Sequence, residues 1–324
     1  MQRVSAPVWE EARDSHSREE VYHFRYVQYF SSREYLPGID HERQRVWLPH
    51  DDSSRHFLAR TDDGDVVAVA TATPAGDPGL FPEWQEIFDL PRLWELVSKI
   101  TVISRAIVAE QARSSAIFGK MCLRLASLFL EEGYHYALHY CAPGMVSMYE
   151  RLGYRQYGRG RNLQSGVYRI PMFLVADDTD YMRRLRSPFR TLQRDFEENR
   201  GWIEKAFAIC PELTISPLCM LSEKALAEKI QSLCPVLENK LTPSLVHALR
   251  RGSLLTLRRG DILAPAGINE GCFLLLTGSL VCGGGQQIPG SIFSTGCGTV
   301  RAREDVQLIC APLKEGSCNV GCPC

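Results

Sequence analysis

Apolar and polar positions alternate along the chain in two rhythms. In EEVYHFRYVQYF, Tyr22, Tyr26 and Tyr29 take the i, i+4, i+7 spacing of one helical face. SRHFLARTDDGDVVAVATATP sets two apolar runs around Asp63-Gly64, a favoured tight-turn pair, and predicts a hairpin. The Pro-rich PAGDPGLFPEW after it predicts a loop. Val102 to Val108 is rich in β-branched residues and predicts a strand. Ile117, Met121, Leu125, Leu128 and Phe129 form one apolar helical face that ends at Gly133, a C-cap signal. YHYALHYCAP predicts a strand stopped by Pro143-Gly144. MVSMYERLGYRQYG predicts a short helix closed by Gly153, with a further strand beyond it.

From Asp177 to about Ala208 the pattern turns polar, with charges alternating in sign, which suits exposed helices. Leu213 to Leu249 reads as helical, and Leu254 to Leu313 as short strands between Gly-rich turns. The expected organisation is a first α+β domain over 1–176, with one mixed sheet and flanking helices. A helical linker over 177–211, a small β-roll over 212–313 and a Cys-rich tail over 314–324 follow.

Composition narrows the function classes. At 45% hydrophobic and 23% charged the chain reads as an ordinary globular protein, and 324 residues suffice for two cores. A net charge of −1 gives no bulk attraction to nucleic acid or to an anionic membrane. No apolar run approaches the ~18 residues that span a bilayer. MQRVSAPVWEEARD does not read as a secretory signal, so the cytoplasm is the expected compartment. Most of the 12 cysteines read as small buried hydrophobes. His135 and His139 are four apart, but on a strand that spacing does not favour a metal, and none is expected.

Three motifs then follow in order. Ile103-Ser104-Arg105 enters a strand, Arg113-Ser114-Ser115-Ala116 leaves it and opens a helix, and Met148 to Tyr154 closes a later helix. This succession resembles the GNAT superfamily of acyltransferases over about half of the chain. The front end resembles the long-chain N-acyl amino acid synthases and the related acyl-homoserine-lactone autoinducer synthases. Arg25, Tyr29, Tyr35, the Asp51-Asp52 pair and Ser104-Arg105 carry that likeness, although Asp51 and Asp52 fit a turn equally well. The autoinducer synthases place an acidic residue where Val102 stands, and an arginine in the segment Ala70 to Pro74. Both are missing here, which points away from lactone formation and toward simple amide formation.

The resemblance implies N-acyl transfer from an acyl-carrier-protein or acyl-CoA thioester to a small-molecule amine such as an amino acid, with no permanently bound cofactor. It places the donor along Ile107 and Val108 and at the helix N-terminus of Arg113, Ser114, Ser115 and Ala116, where backbone N–H groups favour anions. The family's glycine is replaced there in either register, by Ser114 counting from Gln111 or by Ala116 counting from Arg113. A carrier-protein thioester therefore fits at least as well as coenzyme A. The resemblance makes Tyr149 the proton donor to the leaving thiolate, and Arg105 a holder of a carboxylate or the pantetheine arm. Arg25, Tyr29 and Tyr35 become acceptor-binding residues. The bland alternatives are a core aromatic for Tyr149, a strand-end ion pair for Arg105 and a solvated helix charge for Arg25.

In the last third, Arg259-Gly260-Asp261-Ile262-Leu263, Gly267 and Phe273 to Leu280 resemble a cyclic-nucleotide-binding domain. Its ligand cassette is degenerate, with Phe293-Ser294-Thr295 and Gly296 to Val300 lacking the family's Glu and Arg. Loss of nucleotide binding and a docking role, such as homodimer formation, are expected. Cys318, Cys322 and Cys324 fall short of a four-ligand zinc set. A nucleotide-regulated protein lysine acyltransferase and a non-catalytic scaffold remain the alternative functions.

Overall fold

The computed structural model describes residues 7–32, 38–113, 117–192, 196–263, 271–282, 285–294 and 299–312. Tyr35, the Ser114-Ser115-Ala116 loop, Gly267 and the three tail cysteines lie outside them.

The N-terminal part runs β1 (Val8–Glu11), α1 (Ser15–Ser32), a small hairpin β2 (Ile39–Asp40) and β3 (Arg45–Val46), then β4 (Arg55–Arg60), β5 (Val66–Pro74), α2 (Pro82–Ile87) and β6 (Ile100–Val108). It continues with α3 (Ile117–Glu131), β7 (Tyr136–Cys141), α4 (Val146–Leu152), β8 (Arg155–Gln156), β9 (Arg161–Asn162), β10 (Tyr168–Val175), α5 (Thr179–Leu185) and α6 (Phe196–Ile209). The chain forms two compact units. The first holds residues 1–139, 174–179 and 188–209, and the second holds 140–173, 180–187 and 210–324. The division cuts β7 and β10, and the first unit takes up the chain again at 174–179 and 188–209.

The sheet of the first unit has the order β1-β4-β5-β6-β7. The first three pairings are antiparallel and β6–β7 is parallel, so the sheet is mixed as the pattern predicts. The β4–β5 hairpin turns through Gly64, whose φ of 90° is the left-handed conformation a tight turn needs. All seven interior residues of β5 are buried, as befits a central strand covered on both faces. Val21, Tyr22 and Phe24 of α1 pack with Leu58, Val69 and Ala109. The predicted face of α3 is buried throughout: Ile117, Met121, Leu125, Leu128 and Phe129. Each such side chain contributes about 1.5–3 kcal/mol by leaving water.

Two expectations change. Pro82-Glu83-Trp84, read as loop, opens α2, with proline at its first position and Trp84 buried. The polar stretch read as an exposed linker contains α6, which packs as part of the first unit. Its Ile203 and Ala206 are buried, Trp202 stacks on His135 at 4.5 Å, and Tyr136 donates to the Trp202 carbonyl at 2.7 Å. His135 Nδ1 also lies 2.5 Å from Asp177 Oδ2, a hydrogen bond.

In the second unit, β8 and β9 pair antiparallel with β10. The chain then forms α7 (Glu223–Leu233) and α8 (Pro243–Leu249), capped by Ser222 and Thr242. Eight strands follow: β11 (Ser253–Leu257), β12 (Ile262–Leu263), β13 (Gly271–Thr277), β14 (Leu280–Cys282), β15 (Gly285–Gln287), β16 (Ile292–Ser294), β17 (Val300–Ala302) and β18 (Val306–Pro312). They make two four-stranded antiparallel sheets, β11-β18-β13-β16 and β12-β17-β14-β15. Leu226, Ile230, Val246 and Leu249 of the helices pack on Leu274, Leu276 and Ile309. Gly278 is required by its turn, because a Cβ there would stand 2.5 Å from the Asp305 carbonyl. Among the described residues no helix is long and apolar enough to cross a membrane.

One buried carboxyl gives this unit a pH signature. Glu150 on α4 accepts from Ser253 Oγ at 2.6 Å and from Gln156 Nε2 at 2.9 Å, and Gln156 also donates to the Leu254 carbonyl at 3.0 Å. Burial pushes its pKa up to about 7, against the two hydrogen bonds, which lower it. A raised folded pKa means stability that is complete below about 4.5 and is lost as pH rises through about 7. Glu150→Gln is expected to stabilise the second unit at pH 8 by up to about 3 kcal/mol and to do little at pH 4.5. Hydrogen exchange of the β11 amides at the two pH values measures it, and equal effects at both would refute the assignment.

Candidate functional site

The site forms where β6 is irregular. Its register against β5 runs Val69↔Ile107 and then Thr71↔Ser104, so Ala70 faces two residues, Arg105 and Ala106. This is a β-bulge, which unpairs backbone groups and re-aims side chains. Arg105 stands in the bulge with φ of 49°, a conformation that a bulky side chain adopts at a cost of about 1–3 kcal/mol. On the other edge, the pairs with β7 are Ile100↔Tyr136, Thr101↔Ala137 and Val102↔Leu138. Beyond Val102 no β6–β7 pair forms among the described residues, although β6 runs on to Val108. The bulge therefore lies on the stretch of β6 past the ladder with β7, where the His139 ring meets the Ile103 carbonyl at 3.1 Å.

What holds Arg105 is a buried carboxylate. Asp51 is fully buried in the turn after β3, and Arg105 Nη1 donates to both of its oxygens, at 3.2 and 3.1 Å. Arg25 of α1, also fully buried, donates to Asp51 Oδ1 at 3.1 Å, and the Leu48 N–H donates to Oδ2 at 2.8 Å. Arg25 is spent on interior partners besides: the Val46 carbonyl at 3.4 Å, His56 Nδ1 at 3.1 Å and Thr71 Oγ1. Its guanidinium lies 5.4 Å from the centre of the Tyr22 ring. Burial pushes the Asp51 carboxyl up, but Arg25 and Arg105 together outweigh it and hold the pKa at about 2. Burial pulls Arg25 down to about 10, with Asp51 opposing, so it too stays charged at neutral pH. Two guanidinium groups on one carboxylate leave the cluster with a charge of about +1 in a dry interior.

Two histidines complete the setting. The Asp51 carbonyl can only accept, so His56 Nε2, 2.9 Å away, carries the ring hydrogen and Nδ1 accepts from Arg25. Burial, then Arg25, lower the His56 pKa to about 4, and the ring is neutral. His50 is 1% exposed, its ring 4.6 Å from that of Trp84. Burial, then Arg105, lower its pKa to about 4 as well. Among the described residues neither ring nitrogen of His50 has a hydrogen-bond partner, and nor do the Arg25 Nε and the Oγ of Ser104, which is 4% exposed.

The structure brings Arg25 and Arg105 together through Asp51. It buries Arg25 with interior partners on both Nη atoms, in place of the solvated helix charge considered from sequence, and leaves its Nε without a partner among the described residues. Tyr29 is half-buried on the same helix, and its charge interaction with Arg25 places it in this neighbourhood. Ile107 and Val108 lie on β6 just past the bulge, and Arg113 Nε donates to the Val108 carbonyl at 3.3 Å. Tyr149 belongs to the second unit, where it is buried and meets Tyr154 edge-on at 5.7 Å. In the C-terminal strands, Phe293 stacks on Phe273, and Arg301 is exposed on β17.

His50, His56 and Thr71 are site residues that local sequence does not single out. Asp51 is visible as one of the acidic pair that carries the resemblance, which a turn explains equally well.

No protein-family model matches the chain, and no curated protein matches it. Solved structures similar to it include FeeM, an N-acyl amino acid synthase from uncultured soil microbes. That likeness has 15% identity, covers 58% of this chain and 99% of that one, and has a TM-score of 0.44. BjaI, a CoA-dependent acyl-homoserine lactone synthase, is 15% identical over 56% of this chain and 90% of that one, with a TM-score of 0.43. An acetyltransferase of the GNAT family from Staphylococcus aureus is 14% identical over 52% of this chain and 98% of that one, with a TM-score of 0.35. At these scores the likenesses say nothing of this chain's chemistry.

Proposed function

We propose that the chain is a GNAT-type N-acyltransferase that moves an acyl group, of long chain, from a carrier-protein or coenzyme A thioester to an amine such as an amino acid. The observation that carries the reading is Arg105. A strained arginine in a strand bulge, clamped by a buried carboxylate on the stretch of β6 past its ladder with β7, is costly for stability and places positive charge on that stretch.

In this reading the thioester lies along β6 past Val102, and the bulge N–H groups polarise its carbonyl. The amine nitrogen attacks the carbonyl carbon, forming a C–N bond and placing negative charge on the oxygen. The net positive Arg25–Asp51–Arg105 cluster stabilises that charge, or the carboxylate of the acceptor, by electrostatics that needs no reorganisation. The C–S bond then breaks, the nitrogen releases a proton, and the thiolate takes one. Amide formation is favoured over lactone formation because Val102 is a buried apolar residue and Thr71 sits within the segment where an arginine would be needed. The exposed Arg113 at the end of β6 suits either the phosphopantetheine arm or a coenzyme. The β-roll is assigned a docking role, without nucleotide chemistry.

Mass spectrometry tests the reading. Purified protein supplied with dodecanoyl carrier protein or dodecanoyl-CoA and the common amino acids is expected to yield N-dodecanoyl amino acids. Extracts of cells expressing it are expected to contain new N-acyl amino acids. No acylated amine with either donor would reject it and favour a scaffold.

A further inference from the structure

His50 and Ser104 are buried polar side chains of the site whose polar atoms all lack a hydrogen-bond partner among the described residues, whereas Arg25 lacks one only at Nε, and each of the two is the chain neighbour of a clamp residue. His50 precedes Asp51, and Ser104 precedes Arg105. The two are tied to one face of the sheet. Ser54 Oγ donates to the His50 carbonyl at 2.5 Å and lies 2.7 Å from Thr73 Oγ1. Thr73 pairs with Val102 and Thr71 with Ser104, and directly opposed residues of antiparallel strands share a face. The same face carries Thr71 Oγ1, which Arg25 contacts.

Buried polar atoms in folded proteins are hydrogen-bonded, and each exception calls for a reason. Among the described residues, both ring nitrogens of His50 and the Oγ of Ser104 are left without a partner, in an interior where His56, Thr71, Thr73 and Ser54 are engaged and Arg25 leaves only its Nε unpaired. A ligand that brings its own hydrogen-bonding group supplies the reason. The chemistry of that group follows from the charges around it. The cluster is net positive, which opposes a second cation. A neutral imidazole and a hydroxyl offer lone pairs to N–H donors. The group they fit is an uncharged primary amine, the form that can attack a carbonyl. The surroundings that keep the His50 ring neutral also disfavour the ammonium form of an incoming amine.

We infer that His50 and Ser104 form the amine-binding pair of the site, receiving the N–H groups of the acceptor in its neutral form beside Arg105. The inference rests on the acyltransferase reading and deepens it. It makes the pair a determinant of acceptor choice, favouring primary amines, which keep an N–H for each partner, over secondary amines, which have one.

The test uses the full chain, with His50→Leu and Ser104→Ala as separate variants. An unpaired buried polar group penalises the free protein, so removing it relieves that cost. His50→Leu is expected to leave the melting temperature of the substrate-free protein unchanged or raised by a few degrees. At the same time KM for the amine is expected to rise about 10–100-fold, the loss of one or two hydrogen bonds made only with substrate. KM for the thioester is expected to stay within about twofold, as the donor makes no use of the pair. The wild-type preference for primary over secondary amines is expected to shrink in both variants. A His50→Leu protein that is destabilised, together with an amine KM unmoved in Ser104→Ala, would overturn the pairing and make both residues structural. Wild-type protein that acylates no amine would fail the acyltransferase reading itself, and the pair with it. Active wild type with unchanged amine KM in both variants fails the pair alone.

Discussion

Asp51→Ala is expected to destabilise the first unit by about 3–5 kcal/mol and to abolish acyl transfer. The alanine leaves Arg25 with no counter-ion at 0% exposure and Arg105 with none at 7% side-chain exposure. Breaking a buried ion pair from one side costs that much because the remaining charge stays desolvated. Asp51→Asn separates charge from shape. It keeps the side-chain volume, so a comparable loss assigns the effect to the missing charge. The five tryptophans, Trp9, Trp47, Trp84, Trp94 and Trp202, all lie in the first unit, so urea unfolding followed by tryptophan fluorescence reads this unit alone. The pH dependence has a defined sign. The folded carboxyl is depressed to about 2, so its stabilisation is complete above the unfolded value near 3.8 and is lost as pH falls through about 2. Between pH 6 and 8 the difference between wild type and Asp51→Ala is expected to be flat. A loss below about 1 kcal/mol, or one that varies steeply near neutrality, would show that the two arginines do not depend on this carboxylate.

Arg105→Ala is expected to lower kcat by about 100- to 1000-fold, the range seen when one charge-stabilising group is lost from a preorganised site. Its stability effect should be smaller than that of Asp51→Ala. The substitution removes a strained side chain as well as an ion pair, and Arg25 remains to neutralise Asp51. Arg105→Lys separates the two functions of the residue. Lysine keeps the charge but lacks the planar fork that spans both Asp51 oxygens, so partial activity, about tenfold down, is the expected result. Arg105→Gly relaxes the backbone, since glycine accepts a φ of 49° freely, and is expected to be at least as stable as Arg105→Ala while equally inactive. If steady-state turnover survives Arg105→Ala within a factor of about 10, the positive cluster is a structural device and the site lies elsewhere.

These two predictions turn on residues that the sequence made visible to different degrees. Arg105 and Arg25 stood out because their order and neighbours resemble a family pattern. Asp51 fitted a turn as well as it fitted a site. It does sit in a turn, taking the Leu48 N–H, and it is the carboxylate that joins both arginines. His56 reads as one residue of a strand, Thr71 as one β-branched residue among several, and His50 as part of a polar stretch. None of them belongs to a spacing that a motif would capture. Arg25 reads as an acceptor-binding residue or a solvated helix charge, and only docking of α1 against the sheet shows that it is covered.

Short-range geometry is what the sequence alone determined. The Asp63-Gly64 turn, the apolar face of α3, the closing glycines at 133 and 153 and the strand character of Val102 to Val108 all appear as read, with Gly133 and Gly153 at positive φ. Each depends on residues within a few positions of one another, where backbone sterics and side-chain periodicity act directly. The tertiary structure decided the rest. Asp51 meets Arg25 across 26 positions and Arg105 across 54, and both meetings depend on how α1 docks and on one extra residue in the register of β6. The same holds for α6, whose polar sequence reads as exposed until Trp202 finds His135. A register slip of one residue reverses every side chain of a strand, so no local pattern can show in advance which polar groups will share a buried face.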